Sequence, residues 1–170
     1  MQTDDLSRTY ADFVETARHG RFVPPTDGGW TAEMVLAHVV IGDRLIAEAA
    51  ARVMAGVPTT FDNLASQSEP YLRSVAEAAG GWDGLLAALQ RGGDELIALA
   101  RCITDEQAAT PIAARIISDN AVVFDATVPL STLMRVPADT HLRLHTQQLA
   151  ALSGEGVHAG AAQPSSARRA

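Results

Sequence analysis

The chain has 170 residues, 47% of them apolar, and 20 acidic side chains against 13 basic ones leave a net charge of −7. This is the size of one ordinary domain with enough apolar content for a core. The basic residues are all arginines, scattered along the chain, which runs against nucleic acid as a partner, since phosphates select clustered positive charge.

The start, Met1-Gln2-Thr3-Asp4-Asp5, is acidic where a signal peptide is basic and then apolar, and no apolar run is long enough to cross a bilayer. A single cysteine, Cys102, admits no intrachain disulfide. A cytoplasmic protein without a membrane partner is expected, with Cys102 read as buried or incidental because no activating neighbour accompanies it.

The first helix is expected over Asp4 to Arg18, where Leu6, Tyr10, Phe13, Val14 and Ala17 recur at three- and four-residue intervals and Gly20 follows as a stop. Phe22 to Gly29 carries two prolines, an aspartate and two glycines, which is loop chemistry. Thr31 is a candidate N-cap for a second helix to about Ala55, with Glu33 in its first turn. Met34, Val35, His38, Ile41, Leu45, Ile46 and Ala49 form its apolar face, so His38 points inward.

Asn63 to Gln67 reads as a connection, and Pro70 to Ala79 as a short helix with proline in its first turn. Trp82 to about Arg101 is the next long helix, with Leu85, Leu86, Leu89, Leu96, Ile97 and Ala100 on the buried stripe. Gly92-Gly93 interrupts that stripe, as a close approach or a bend would require.

After Pro111 the period changes. Arg115 to Ser118 and Ala121 to Phe124, around Asp119-Asn120, predict a small hairpin. Val128-Pro129-Leu130 leads to Ser131 as a candidate N-cap for a last helix ending near Leu152, kinked or split at Pro137. Residues 1–153 are therefore expected to form one all-α four-helix bundle with a short hairpin in the crossover before the last helix. Residues 154–170, rich in Gly, Ala, Ser and Pro, are expected to be a flexible tail.

Three of the five histidines have a positional argument behind them. His141 and His145 are four apart on one helix, which stacks them on one side with Leu149 and Leu152. His38 points inward from another helix. Hydrogen-bonded core histidines would fit these positions too, as would three ligands of an open divalent-metal site with its fourth position free. His19 and His158, in a helix end and in the tail, carry no such argument.

The stretch Gly29-Trp30-Thr31-Ala32-Glu33-Met34-Val35-Leu36-Ala37-His38-Val39-Val40-Ile41-Gly42-Asp43-Arg44-Leu45 resembles the DinB-like superfamily, closest to the branch called mycothiol-dependent maleylpyruvate isomerase-like. That resemblance maps the family's first metal ligand onto His38 and the paired ligands of its last helix onto His141 and His145, and covers roughly residues 5–153. It implies a DinB-like bundle, a divalent metal, and mycothiol or another low-molecular-weight thiol as co-substrate; imidazole ligands themselves suit zinc first, then nickel, with iron and copper also open. A homodimer is compatible with it. Thr146-Gln147 stands where the family has Arg-Gly, and the isomerase carries a further C-terminal domain where only a tail is read here. A metal-dependent thiol transferase is therefore expected rather than the isomerase itself.

Three neutral imidazoles leave a dication's charge uncompensated, so a bound thiol is held as thiolate or a bound water is acidified. Asp43 is a candidate acceptor for a ligand N–H, with an exposed ion pair as its alternative. Trp30 either lines the mouth of the bundle or packs the helix start, and packing is the preferred reading. Gln148, three residues after His145, either faces the site or is a surface amide. Two other readings stay open. One is a metal-dependent hydrolase, which needs a carboxylate such as Asp43 or Glu33 as proton acceptor. The other is a non-catalytic bundle that binds a small molecule or partner around a structural metal.

Overall fold

Burial on nearly every side sets the helix Ala32–Met54 (α2) apart from the rest. The structure, a computed structural model, describes residues 2–118 and 120–154; the tail reading beyond Gly154 and Asp119 of the hairpin turn lie outside them. Thr31 caps α2, its hydroxyl accepting from the Met34 N–H at 3.4 Å. A helix apolar all round belongs at the centre of a packing. Around α2 stand α3 (Glu69–Ala78), α4 (Trp82–Cys102), α6 (Leu130–Val136) and α7 (Leu142–Leu152), while α1 (Asp4–His19) packs on α4 and α7. The expected stripe of α2 is thus wider than one face, because neighbours cover both of its sides.

All five apolar positions expected on α1 are buried. Of the Gly92-Gly93 pair, Gly93 makes a close approach inside an unbroken α4: a methyl there would lie 2.7 Å from the Tyr10 ring, whereas one on Gly92 would lie 3.6 Å from the Asp43 carboxylate, an ordinary contact. A short helix, α5 (Asp105–Ala108), is held by a capping box in which Thr104 and Gln107 satisfy one another's backbone N–H groups. Cys102, the last residue of α4, is exposed, which removes the buried reading and leaves the incidental one.

The hairpin is longer than the β-branched core of its sequence suggests. β2 (Pro111–Ser118) and β3 (Ala121–Pro129) pair antiparallel through a turn in which Asn120 takes a positive φ of 61°. A third strand, β1 (Thr60–Asp62), joins β2 in parallel, giving the order β1-β2-β3. Three residues are too few to show a period, so β1 has no signal of its own.

Leu130 opens α6 directly, with Pro129 at the cap position and no side-chain cap. Ser131 is therefore not the N-cap, since the ladder runs up to Pro129 and the Leu130 N–H bonds the Thr110 carbonyl instead. Pro137 divides the last helix. It begins a single wide turn, Pro137–His141, that closes when the Leu142 N–H donates to the Pro137 carbonyl five residues back. Proline has no N–H to give to the preceding turn, and a widened turn absorbs the misfit. A mostly helical bundle with a three-stranded mixed sheet before its final helix is the result.

Candidate metal centre

His38 sits in the second turn of α2 with 5% of its surface exposed. His141 ends the wide turn and His145 lies one turn into α7, both half-buried. The three rings converge: His38 stands 4.9 Å from His141 and 4.7 Å from His145, and His141 stands 4.6 Å from His145 at 90°. One nitrogen from each ring lies within 4.8 Å of the others. The cluster is capable of coordinating a metal ion.

The outer nitrogens decide which faces of the rings are available. His38 Nδ1–H donates to the Ser66 carbonyl at 2.7 Å, and His145 Nδ1–H donates to Gln148 Oε1 at 2.8 Å. Each neutral ring therefore keeps a bare lone pair on Nε2, the state a metal needs. His38 Nε2 then accepts from His141 Nε2–H at 2.8 Å. Tetrahedral ligands about 2.0–2.1 Å from an ion lie about 3.3 Å apart. Opening this pair by about half an ångström and moving the His141 proton to its other nitrogen would suit an ion.

The electrostatics agree with neutral donors. Burial, followed by the charge of His145, lowers the His38 pKa to about 4, partly offset by the bond to Ser66. Burial and the two neighbouring imidazoles hold His141 well below the ordinary histidine value. His145 is lowered by burial, against the opposing effect of Gln148. Three rings that resist protonation are ready ligands for a cation, and the donor set fits a divalent ion of borderline softness.

Trp30 lies against His38, ring centroids 4.9 Å apart and tilted by 44°, while also packing, half-buried, against the core. It covers the ring and fixes the helix start together. Asp43 lies elsewhere: its Oδ1 accepts from Tyr10 Oη at 2.7 Å, and its Oδ2 has no hydrogen-bond partner. Five residues beyond His38, it projects toward α1 and α4 rather than the imidazoles, and at 1% exposure it is no surface ion pair. Burial raises its pKa to about 7, less the effect of Tyr10. Burial first, then the charge of Asp43, raises Tyr10 well above its usual value.

Sequence reasoning missed Ser66. Its contribution is a backbone carbonyl, which any residue carries, so no side-chain pattern could announce it. His19 pairs with Glu15 on the exposed face of α1, and His158 lies outside the described residues. No helix among those described is long and apolar enough to cross a membrane.

Compared with protein-family models, curated proteins and solved structures, the chain matches none.

Proposed function

We propose that this chain is a divalent-metal protein of the DinB-like superfamily, in its mycothiol-dependent maleylpyruvate isomerase-like branch, that transfers a low-molecular-weight thiol to a small electrophile. The observation that carries the metal is the convergence of His38, His141 and His145 with two outer nitrogens already tied to Ser66 and Gln148. Zinc suits three imidazoles and an open fourth position, and nickel is the alternative. Bound there, the dication would supply Lewis acidity, holding a thiol such as mycothiol as its thiolate.

The remaining work falls to the chain. Ser66 and Gln148 keep the ligand rings turned inward, so little reorganisation precedes binding. Trp30 covers one side of His38 and keeps water from that flank. The thiol and the transferase reaction rest on the sequence resemblance, and the imidazole cluster supports the metal they require.

The hydrolase reading has less support. Of the carboxylates it relies on, Asp43 is bonded to Tyr10 and Glu33 is exposed at the start of α2. The decisive experiment is elemental analysis of protein purified without an affinity tag, followed by turnover with a panel of thiols and electrophiles. Stoichiometric zinc or nickel with thiol-dependent turnover is the expected result. Metal-supported ester or amide hydrolysis without thiol would replace the transferase with the hydrolase, and absence of metal would sink both.

A further inference from the structure

The loop that supplies Ser66 is held to the sheet by one side chain. β1 runs parallel to β2 with Asp62 opposite Arg115, and the next residue, Asn63, leaves the ladder. Its side chain takes over where its backbone departs: Nδ2–H donates to the Ile117 carbonyl at 3.0 Å, and Oδ1 accepts the Ile117 N–H at 2.7 Å. An amide group carries a donor and an acceptor side by side, as a peptide group does. Asn63 thus extends the β1–β2 pairing while the main chain turns off the sheet. It does so at Ile117, where the β2–β3 register shifts.

The turn that follows, Leu64–Gln67, is short and internally bonded. The Ser66 N–H and hydroxyl both donate to the Asn63 carbonyl, at 3.0 and 2.8 Å, and the Leu64 N–H bonds Asp62 Oδ1. Ser66 is buried at the end of this chain of contacts, and its carbonyl receives His38 Nδ1–H. A continuous path therefore runs from the Ile117 backbone through the Asn63 amide and the Ser66 carbonyl to His38.

We infer that Asn63 is a positioning residue of the metal centre, locking the His38 tautomer by fixing the Ser66 carbonyl against the sheet. This rests on the reading of the three histidines as a metal site, but its first consequence needs no metal. With the carbonyl in place, His38 is a single tautomer with Nε2 unprotonated. With the clamp cut, the turn is free to move off the ring and the Nε2–H form becomes populated.

The test compares wild type, Asn63→Ala, Asn63→Asp and Ile112→Val, the last a buried β2 residue remote from the turn. Imidazole ¹⁵N spectra of the metal-free proteins should give one His38 tautomer for wild type and Ile112→Val, and a mixture for Asn63→Ala. Asn63→Asp, which keeps the acceptor for the Ile117 N–H and sets a carboxylate against the Ile117 carbonyl, should fall between; it serves in place of Asn63→Ala if that variant fails to fold. Cobalt(II) titration should show affinity at least about tenfold weaker in the Asn63 variants, as loss of a ligand's outer partner produces, with an altered d–d spectrum.

A lowered Tm in the Asn63 variants, with wild-type tautomer and cobalt affinity within twofold of wild type, would overturn the inference and leave Asn63 a fold residue only. Failure of wild type itself to bind cobalt would sink the metal reading. The tautomer comparison would then still decide whether Asn63 governs His38.

Discussion

The Nε2 atoms of His38 and His141 stand 2.8 Å apart although 103 residues separate them in the chain. They join the central helix to the wide turn of the last one, so whatever binds between them also ties α7 to α2. A ligand that binds only the folded state stabilises it by mass action, about 4 kcal/mol at a thousandfold excess over Kd. For a chain of this length each kcal/mol moves Tm by about 2–4 °C. Saturating zinc is expected to raise the Tm of metal-free protein by on the order of ten degrees in a thermal scan, and EDTA to reverse it. No shift at any zinc concentration would contradict a metal between these helices.

Substitution of the ligands should separate binding from folding. His145 is half-buried and its outer partner is Gln148, a half-buried side chain of the same helix, so His145→Ala is expected to lose stoichiometric metal, by more than the roughly 10–100-fold seen for an outer partner, with little change in the metal-free Tm. His38→Ala should lose the metal and also destabilise the metal-free protein by about 1–3 kcal/mol, because the buried Ser66 carbonyl then has no donor. Gln148→Leu should lower affinity while leaving stoichiometry intact, measured by competition with a chromophoric chelator.

Two buried groups give opposite dependences on pH. His38 has a folded value near 4 against its usual 6.5, so between these values the unfolded chain holds the extra proton and stability is lost as pH falls. Asp43 has a folded value near 7 against 3.8, so the folded chain holds the extra proton and stability is lost as pH rises from about 4 to 7. In wild type the two trends offset one another in the same window. Asp43→Asn keeps an acceptor for Tyr10 and cannot ionise. Its stability relative to wild type is expected to grow by roughly 2–3 kcal/mol between pH 5 and pH 8, from the free energy of a pKa shift. Urea unfolding of the metal-free proteins at both values reads this, and a constant difference would contradict a raised Asp43.

Neighbouring glycines on α4 should respond with opposite signs. Replacing a helical glycine by alanine gains about 0.8–1 kcal/mol of propensity where space allows. Gly92→Ala meets the Asp43 carboxylate at 3.6 Å, an ordinary contact, and is expected to stabilise. Gly93→Ala meets the Tyr10 ring at 2.7 Å, and the ring is buried and bonded to Asp43, so it has nowhere to yield. Net destabilisation is expected, since overpacking costs about 1–3 kcal/mol. Chemical denaturation of the two variants side by side checks the sign of each.

Much of this architecture was legible in the chain because helical period and stop signals are local. The five apolar positions of α1, the Thr31 cap and the break at Pro137 all follow from neighbours within a few residues. β1 and α5 escaped that reading, one being too short for a period and the other visible only as the Thr104–Gln107 capping pair. Neither reading of Asp43, as an acceptor for a ligand N–H or as an exposed ion pair, matches its place in the fold, because position along a helix gives an angle and not a neighbour. The Tyr10 hydroxyl that it meets comes from α1, 33 residues earlier.

By itself the sequence determined that His141 and His145 share one side of a helix and that His38 is buried on another, since both follow from a turn of 3.6 residues. Only the tertiary structure decided that the three rings meet, because closing the distance between residues 38 and 141 depends on how α7 packs against α2. It alone also decided which nitrogen of His38 faces inward. That choice belongs to the Ser66 carbonyl, a backbone group common to every residue, which gains its meaning from where the fold puts it.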